Sequence, residues 1–189
     1  MPKLLANRRS PKCAPLRSAV STIQTAMKEK QMSTASVSDE TREGGTIQCV
    51  EHAGIVVDDI EAATAFFVAL GLELQGEGMV EGEWVDRVVG LESMRVTFAM
   101  LGTVDGRGAV ELVKFHSPPA RRGDGDAPAN TLGIRHLAFR VVEIDAAVAT
   151  VVAHGGALIG EVVNYEGIYR LCYVRGPEGI IVELAERIG

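Results

Sequence analysis

The sequence predicts an α+β protein built from two tandem βαβββ modules. Apolar runs rich in β-branched residues alternate with one helical pattern in each half of the chain. The second half repeats the first at an offset of 84 residues, with 12 identities in the 26 positions that pair 52–77 with 136–161. Chance similarity gives far fewer identities, so we interpret the repeat as an internal duplication.

The first module begins with an apolar strand pattern and continues with a helix. Asp58 and Asp59 can cap a helix over residues 60–70, and Gly71 ends it. Turn residues at 105–108 join the last two strand patterns. The predicted strands of this module are 47–57, 72–75, 95–101 and 109–115.

A segment of different composition precedes the duplicated body. Residues 1–31 contain seven Lys or Arg and one acid, which gives +6; since the whole chain is −6, the remainder carries −12. We predict that residues 1–46 form a disordered or weakly ordered extension. The predicted domain covers 47–189, with modules at 47–116 and 133–187 and a Pro- and Gly-rich linker at 117–132.

The composition argues against several classes of protein. An acidic body disfavours nucleic-acid binding, and no apolar run approaches the ~18 residues of a membrane span. Cys13, Cys49 and Cys172 are odd in number and far apart, which fits neither a disulfide framework nor a paired-cysteine zinc site. We therefore expect a cytoplasmic protein that acts on a small molecule, without nucleic acid or membrane as a partner.

Four polar residues stand out in the apolar strand patterns. A lone carboxylate is expensive to bury, yet Glu111 and Glu183 lie inside such runs, and His52 and His136 begin two others. Alternate residues of a strand share a face, so all four can point to the uncovered side of the sheet. Two imidazoles and two carboxylates suit Zn, Ni, Co, Mn or Fe(II), with open positions for substrate. Each residue alone is better explained as a strand-end His or a Glu paired with Arg, but the symmetric placement favours a metal site.

The first module is longer than the second. Glu111 follows His52 by 59 residues, whereas Glu183 follows His136 by 47. The extra residues fall around 78–91, which contains Trp84, the only tryptophan. Two interpretations stay open: a lid over the site, or a short helix packing Trp84, Val88 and Val89 on the outside of the sheet.

Several further side chains are candidates for substrate binding. Arg95 and Arg140 could hold an anionic group of a substrate, although either could instead pair with an acid. The candidates for an aromatic lining are Trp84, Tyr165, Tyr169 and Tyr173.

Four motifs resemble those of the vicinal oxygen chelate superfamily. That group includes glyoxalase I, methylmalonyl-CoA epimerase, extradiol dioxygenases and the bleomycin and fosfomycin resistance proteins. The resemblance covers about residues 47–187, and Gly176-Pro177 stands where many relatives have Asp-Pro. The motifs are His52-Ala-Gly-Ile-Val-Val-Asp-Asp-Ile, the strand with Glu111-Leu112, His136-Leu-Ala-Phe with the following Ile144, and Gly176-Pro-Glu-Gly-Ile-Ile-Val-Glu183-Leu.

The resemblance implies a cupped mixed sheet around one divalent metal, usually in a homodimer. The ligand order His, Glu, His, Glu is similar to that of glyoxalase I. It implies a metal-dependent lyase or isomerase in which Glu183 is the mobile base and Glu111 the second carboxylate, or the reverse. Two alternatives remain: an Fe(II) extradiol-type oxygenase, and a non-catalytic antibiotic-sequestering protein. The 5% aromatic content makes sequestration less attractive.

Overall fold

The computed structural model describes residue 47 and residues 49–189, so the predicted extension 1–46 lies outside the described residues. No helix in this described part is long and apolar enough to cross a membrane. The elements, in chain order, are β1 Ala53–Val56, α1 Ile60–Ala69, β2 Glu73–Glu81, α2 Glu83–Val89, β3 Arg95–Gly102, β4 Ala109–Ser117, β5 His136–Val141, α3 Ile144–Ala153, β6 Ala157–Tyr165, β7 Tyr169–Arg175, a 3-10 turn Pro177–Gly179 and β8 Ile181–Arg187.

The strands form two four-stranded sheets with the same topology. Their orders are β1-β4-β3-β2 and β5-β8-β7-β6. In each sheet the first strand pairs in parallel with the last strand of its module, and the remaining pairs are antiparallel. The predicted fold class, α+β with two tandem βαβββ modules, is confirmed.

Helix α1 forms where the sequence predicts it. The Asp59 carboxylate accepts a hydrogen bond from the Ala62 N–H at 2.9 Å, which satisfies a donor of the first turn. The helix ends at Ala69, and Gly71 takes the positive φ of 104° that a residue without Cβ adopts easily. The apolar side of the helix, including Phe66 and Phe67, is buried.

Two predicted strand boundaries are wrong. Strand β1 covers only Ala53–Val56, not 47–57, because its pairing with β4 extends only over these residues. Strand β2 runs over Glu73–Glu81, not 72–75, because it pairs with β3 as far as Glu81 opposite Arg95. Its glycines and glutamates have low strand propensity, so hydrogen bonding to β3 decides its length.

One hydrophobic core joins the two modules. It includes Phe66 and Phe67 of α1, and the Phe67 ring lies 6.2 Å from the ring of Phe139 in the second module. Because side chains alternate along a strand, Glu111 and Glu183 lie on the faces turned away from this core. The strand residues in the core include Ala99, Leu101, Val110 and Leu112 of the first sheet and Val174, Val182 and Leu184 of the second.

Polar contacts also fix one module against the other. The carboxylate of Glu178, in the 3-10 turn of the second module, accepts hydrogen bonds from the backbone N–H groups of Asp58 and Asp59 at 3.0 and 3.1 Å. The Arg175 guanidinium donates to linker carbonyls of Gly125 and Ala127 at 2.8 and 3.1 Å. The relative placement of the sheets is therefore held by both apolar and polar contacts.

The extra residues of the first module form the end of β2 and helix α2. The helix packs through Val85, which is 5% exposed and clusters with Met94, Val96 and Phe115. Phe115 lies four residues from Glu111 on β4, so the two side chains share a face of the strand. Helix α2 therefore covers the end of the Glu111 face. The short helix of the second interpretation is therefore present, but it packs through Val85, whereas Trp84, Val88 and Val89 are 40%, 72% and 45% exposed.

Candidate metal centre

The first predicted ligand pair comes together at the start of β1. His52 precedes this strand, and its Nε2 lies 3.5 Å from Oε2 of Glu111. In the parallel pairing of β1 with β4, Gly54 is the residue opposite Glu111. A Cβ at residue 54 would lie 3.8 Å from the Glu111 carboxylate, so the glycine leaves the space in front of this oxygen open.

The second pair repeats this geometry. His136 Nε2 lies 3.2 Å from Glu183 Oε2, and Ala138 is opposite Glu183 in the pairing of β5 with β8. All four side chains are partly accessible: 38% for His52, 28% for Glu111, 36% for His136 and 24% for Glu183. The duplication therefore produces two equivalent His–Glu pairs.

The geometry of each pair fits a divalent cation. Two ligands bonded at about 2.1 Å to one cation, at angles near 90–110°, are separated by roughly 3.0–3.4 Å. The observed separations of 3.5 and 3.2 Å are close to this range. An imidazole nitrogen with a carboxylate oxygen is a donor set for borderline cations such as Zn²⁺ or Mn²⁺. Each pair can therefore provide half of a four-ligand centre.

The chain does not bring the two pairs together. Among the described residues no group of three or more His, Cys, Asp or Glu side chains is close enough to hold a metal ion. The neighbours of Glu111 and Glu183 along their strands, Leu112 and Leu184, belong to the shared core, so both carboxylates lie on the sides of their sheets that face away from it. A single chain therefore presents two half-sites.

The predicted substrate-binding residues lie at a distance from these pairs. Arg95 is five residues along β3 from Met100, the partner of Glu111, which corresponds to roughly 17 Å of strand. Arg140 lies four residues beyond His136 on β5, roughly 13 Å along the strand, and is exposed. Tyr169 is four residues from Tyr173 on β7, and Trp84 lies on α2. In the described part of the chain, no hydrogen bond, ion pair or ring contact joins any of these four side chains to a His–Glu pair.

A separate cavity of about 770 Å³ lies along the open edge of β5. Its walls include Arg140 and Phe139, the end of α1 at Leu70, and the turn around Asp105. Neither His–Glu pair lines it. The cavity therefore does not coincide with the half-sites.

Tyr173 is a site residue that the sequence identifies only as a lining aromatic. It is paired with Glu183 across β7 and β8, and its hydroxyl lies 3.3 Å from Nδ1 of His136. The contact depends on cross-strand register, which single-strand patterns do not reveal. The neighbouring Cys172 points to the other face of the sheet and is 4% exposed, and burial raises the pKa of its thiol.

Comparison with known proteins identifies the family. The family model of the Glyoxalase/Bleomycin resistance protein/Dioxygenase superfamily matches residues 51–173, which include three of the four predicted ligands. The chain belongs to this superfamily. The glyoxalase superfamily is the vicinal oxygen chelate group that the sequence motifs resemble, so the resemblance is confirmed at the superfamily level.

Several known proteins are similar to this chain over most of their own lengths. The uncharacterized protein YaeR of Escherichia coli (strain K12) is 31% identical over 139 residues, which are 73% of this chain and 95% of YaeR. A glyoxalase family protein from Bacillus cereus is 43% identical, with a TM-score of 0.75 over 78% of this chain and 99% of that chain. A glyoxalase/dioxygenase from Nostoc punctiforme is 25% identical, with a TM-score of 0.51 over 82% and 99%.

Proposed function

We propose that the protein is a metal-dependent lyase or isomerase that acts as a homodimer on a small substrate. Its reaction, like those implied by the resemblance to glyoxalase I and the epimerases, removes a proton from carbon next to a carbonyl or hydroxyl oxygen. The observation that carries the proposal is the pair of matching His–Glu half-sites, at 3.5 and 3.2 Å, on different faces of one chain.

Two chains can complete what one chain leaves separate. In a two-fold symmetric dimer, the His52–Glu111 half-site of one chain faces the His136–Glu183 half-site of the other, and symmetry produces two equal centres. Strands β1 and β5 are edge strands in their sheets, and Val56 on β1 is 53% exposed. Unpaired edges with exposed apolar side chains are surfaces that association would cover.

The site residues have different roles in the proposed proton transfer. When bound, a divalent cation supplies Lewis-acid polarisation of the substrate oxygens. The Glu183 carboxylate accepts the proton from the adjacent carbon and returns it to the same or the neighbouring carbon. His52 and His136 would hold the cation through their neutral imidazoles, with Glu111 as the second carboxylate. Suitable substrates are hemithioacetals, 2-oxo thioesters and 2-hydroxycarbonyl compounds.

Complementation between two inactive variants tests both the metal and the dimer. His52→Ala and His136→Ala should each lose the bound metal, which is about one divalent ion per chain in the wild type, because a methyl group cannot replace a ligand. Random pairing makes half of the dimers heterodimers with one chain of each variant. In a heterodimer, one of the two centres combines an intact first module with an intact second module. Co-expression should therefore restore about a quarter of all centres.

Each variant expressed alone is the control for this experiment. Centres built within one chain would stay inactive after co-expression, which would contradict the shared arrangement. Wild-type protein that retains no stoichiometric metal would contradict the metal centre itself. Oxygen uptake without proton exchange would identify an oxygenase, and tight binding without turnover a sequestering protein.

A further inference from the structure

Tyr173 makes two contacts with the ring of His136. Its hydroxyl lies 3.3 Å from His136 Nδ1, and the two ring centroids are 4.9 Å apart with their planes tilted by 39°. The other ring nitrogen, Nε2, lies 3.2 Å from Glu183. The imidazole is thus held from both ends, by a carboxylate on the metal-binding side and by a phenol on the far side.

We propose that Tyr173 is a positioning residue that keeps the His136 ring in the orientation that metal binding requires; this rests on the proposed metal centre. Without a metal, the Glu183 carboxylate accepts the hydrogen of Nε2, so the neutral ring leaves Nδ1 free to accept from the Tyr173 hydroxyl. With a cation on Nε2, the ring hydrogen is on Nδ1 and is donated to the same hydroxyl. A phenol serves both states because it can donate and accept.

The first half-site has no corresponding phenol. The residue paired with Glu111 is Met100, just as Tyr173 is paired with Glu183. A thioether sulfur is a weak acceptor and no donor, so it cannot replace the hydroxyl. The duplication therefore preserves the two ligand pairs, but the ring-orienting group occurs in the second module. His136 is thus held in a metal-binding orientation more firmly than His52.

Tyr173→Phe tests this role because it keeps the aromatic ring and removes only the hydroxyl. We expect the affinity of the dimer for Zn²⁺, measured by competition with a chelator, to fall about 10- to 100-fold. In the Zn²⁺-loaded wild type, nitrogen-15 spectra should show a protected hydrogen on His136 Nδ1. This signal should be lost in the variant, whose Nδ1 hydrogen exchanges with water.

Thr97→Val is the matched control. Thr97 Oγ1 lies 2.8 Å from His116 Nε2, so this variant also removes a hydroxyl–imidazole contact between neighbouring strands, at a distance from both ligand pairs. It should leave the Zn²⁺ affinity unchanged. Tyr173→Phe with wild-type affinity, or an equal loss in Thr97→Val, would overturn the role of Tyr173. Wild-type protein that binds no Zn²⁺ would overturn the proposed function instead.

Discussion

The ring of Phe66 fills the space beside Gly176. A Cβ built at residue 176 would lie 2.7 Å from the Phe66 Cζ atom and 2.9 Å from Cε1, closer than packed atoms tolerate. Phe66 belongs to helix α1 of the first module, whereas Gly176 precedes the 3-10 turn of the second. Contact between the modules therefore explains why residue 176 is a glycine.

Gly176→Ala should destabilise the protein by about 1–3 kcal/mol, because a methyl group must displace a fully buried ring. Urea unfolding of the variant measures the loss. Gly123→Ala, in the linker, is the control: a Cβ there has no heavy atom within 4 Å, so its effect should stay within about 0.5 kcal/mol. Equal stability of the two variants would show that Phe66 moves aside at little cost.

The Asp145–Arg170 ion pair predicts acid-sensitive stability. The Arg170 guanidinium bonds to Asp145 at 2.8 Å and lowers the pKa of that carboxyl below its ordinary 3.8. A lowered folded-state pKa contributes stability above the unfolded value, and this contribution disappears as the pH falls through the folded value. The stability difference between wild type and Asp145→Asn should therefore be largest near neutral pH and shrink below pH 3.8.

Denaturant midpoints at neutral and acidic pH check this expectation. The linker variant Asp126→Asn removes another exposed carboxylate and is the control. Its denaturant midpoint should equal that of the wild type at every pH. If the stability difference between wild type and Asp145→Asn stays the same down to the most acidic pH, the ion pair is not the cause of that difference.

Deletion of residues 1–44 should leave the melting temperature and the metal content unchanged. Ile47 and Val50 are 86% and 79% exposed, and the first core residue along the described chain is Val57. Thermal unfolding and metal analysis of the shortened and full-length proteins give the comparison. A clear drop in melting temperature would show that the deleted segment packs on the body.

Glu183→Gln tests the proposed base. Glutamine keeps the size and a ligand oxygen but has no basic carboxylate, so we expect most of the metal to remain while turnover falls by about 10² to 10⁴. The wild type should wash solvent deuterium into the reacting carbon of a hemithioacetal or 2-hydroxycarbonyl substrate. Glu161→Gln, on the exposed strand β6, should behave as the wild type. If Glu183→Gln turns over as fast as the wild type, Glu183 is not the base and Glu111 is assigned that role.

The repeat explains why so much of the fold was predictable. Matching residues at an offset of 84 gave the two modules and related His52 to His136, whereas Glu111 and Glu183, 72 residues apart, were identified from similar apolar strand patterns. The separation of the pairs was not predictable, because it depends on contacts between distant segments, such as Phe66 with Gly176. The length of strand β2 was underestimated for a related reason, because hydrogen bonding to its partner β3, not its composition, determines where it ends.

Helix α2 makes the two halves of the proposed centre different. A centre assembled from two identical halves would have two-fold symmetry, and a substrate would bind equally well in two orientations related by a half-turn. The helix occurs only in the first module and covers the end of the Glu111 face through Val85. The two walls of the proposed centre are therefore chemically different. A substrate therefore meets different surroundings at its two ends, so it should bind in one orientation and lose its proton from one end and not from the other.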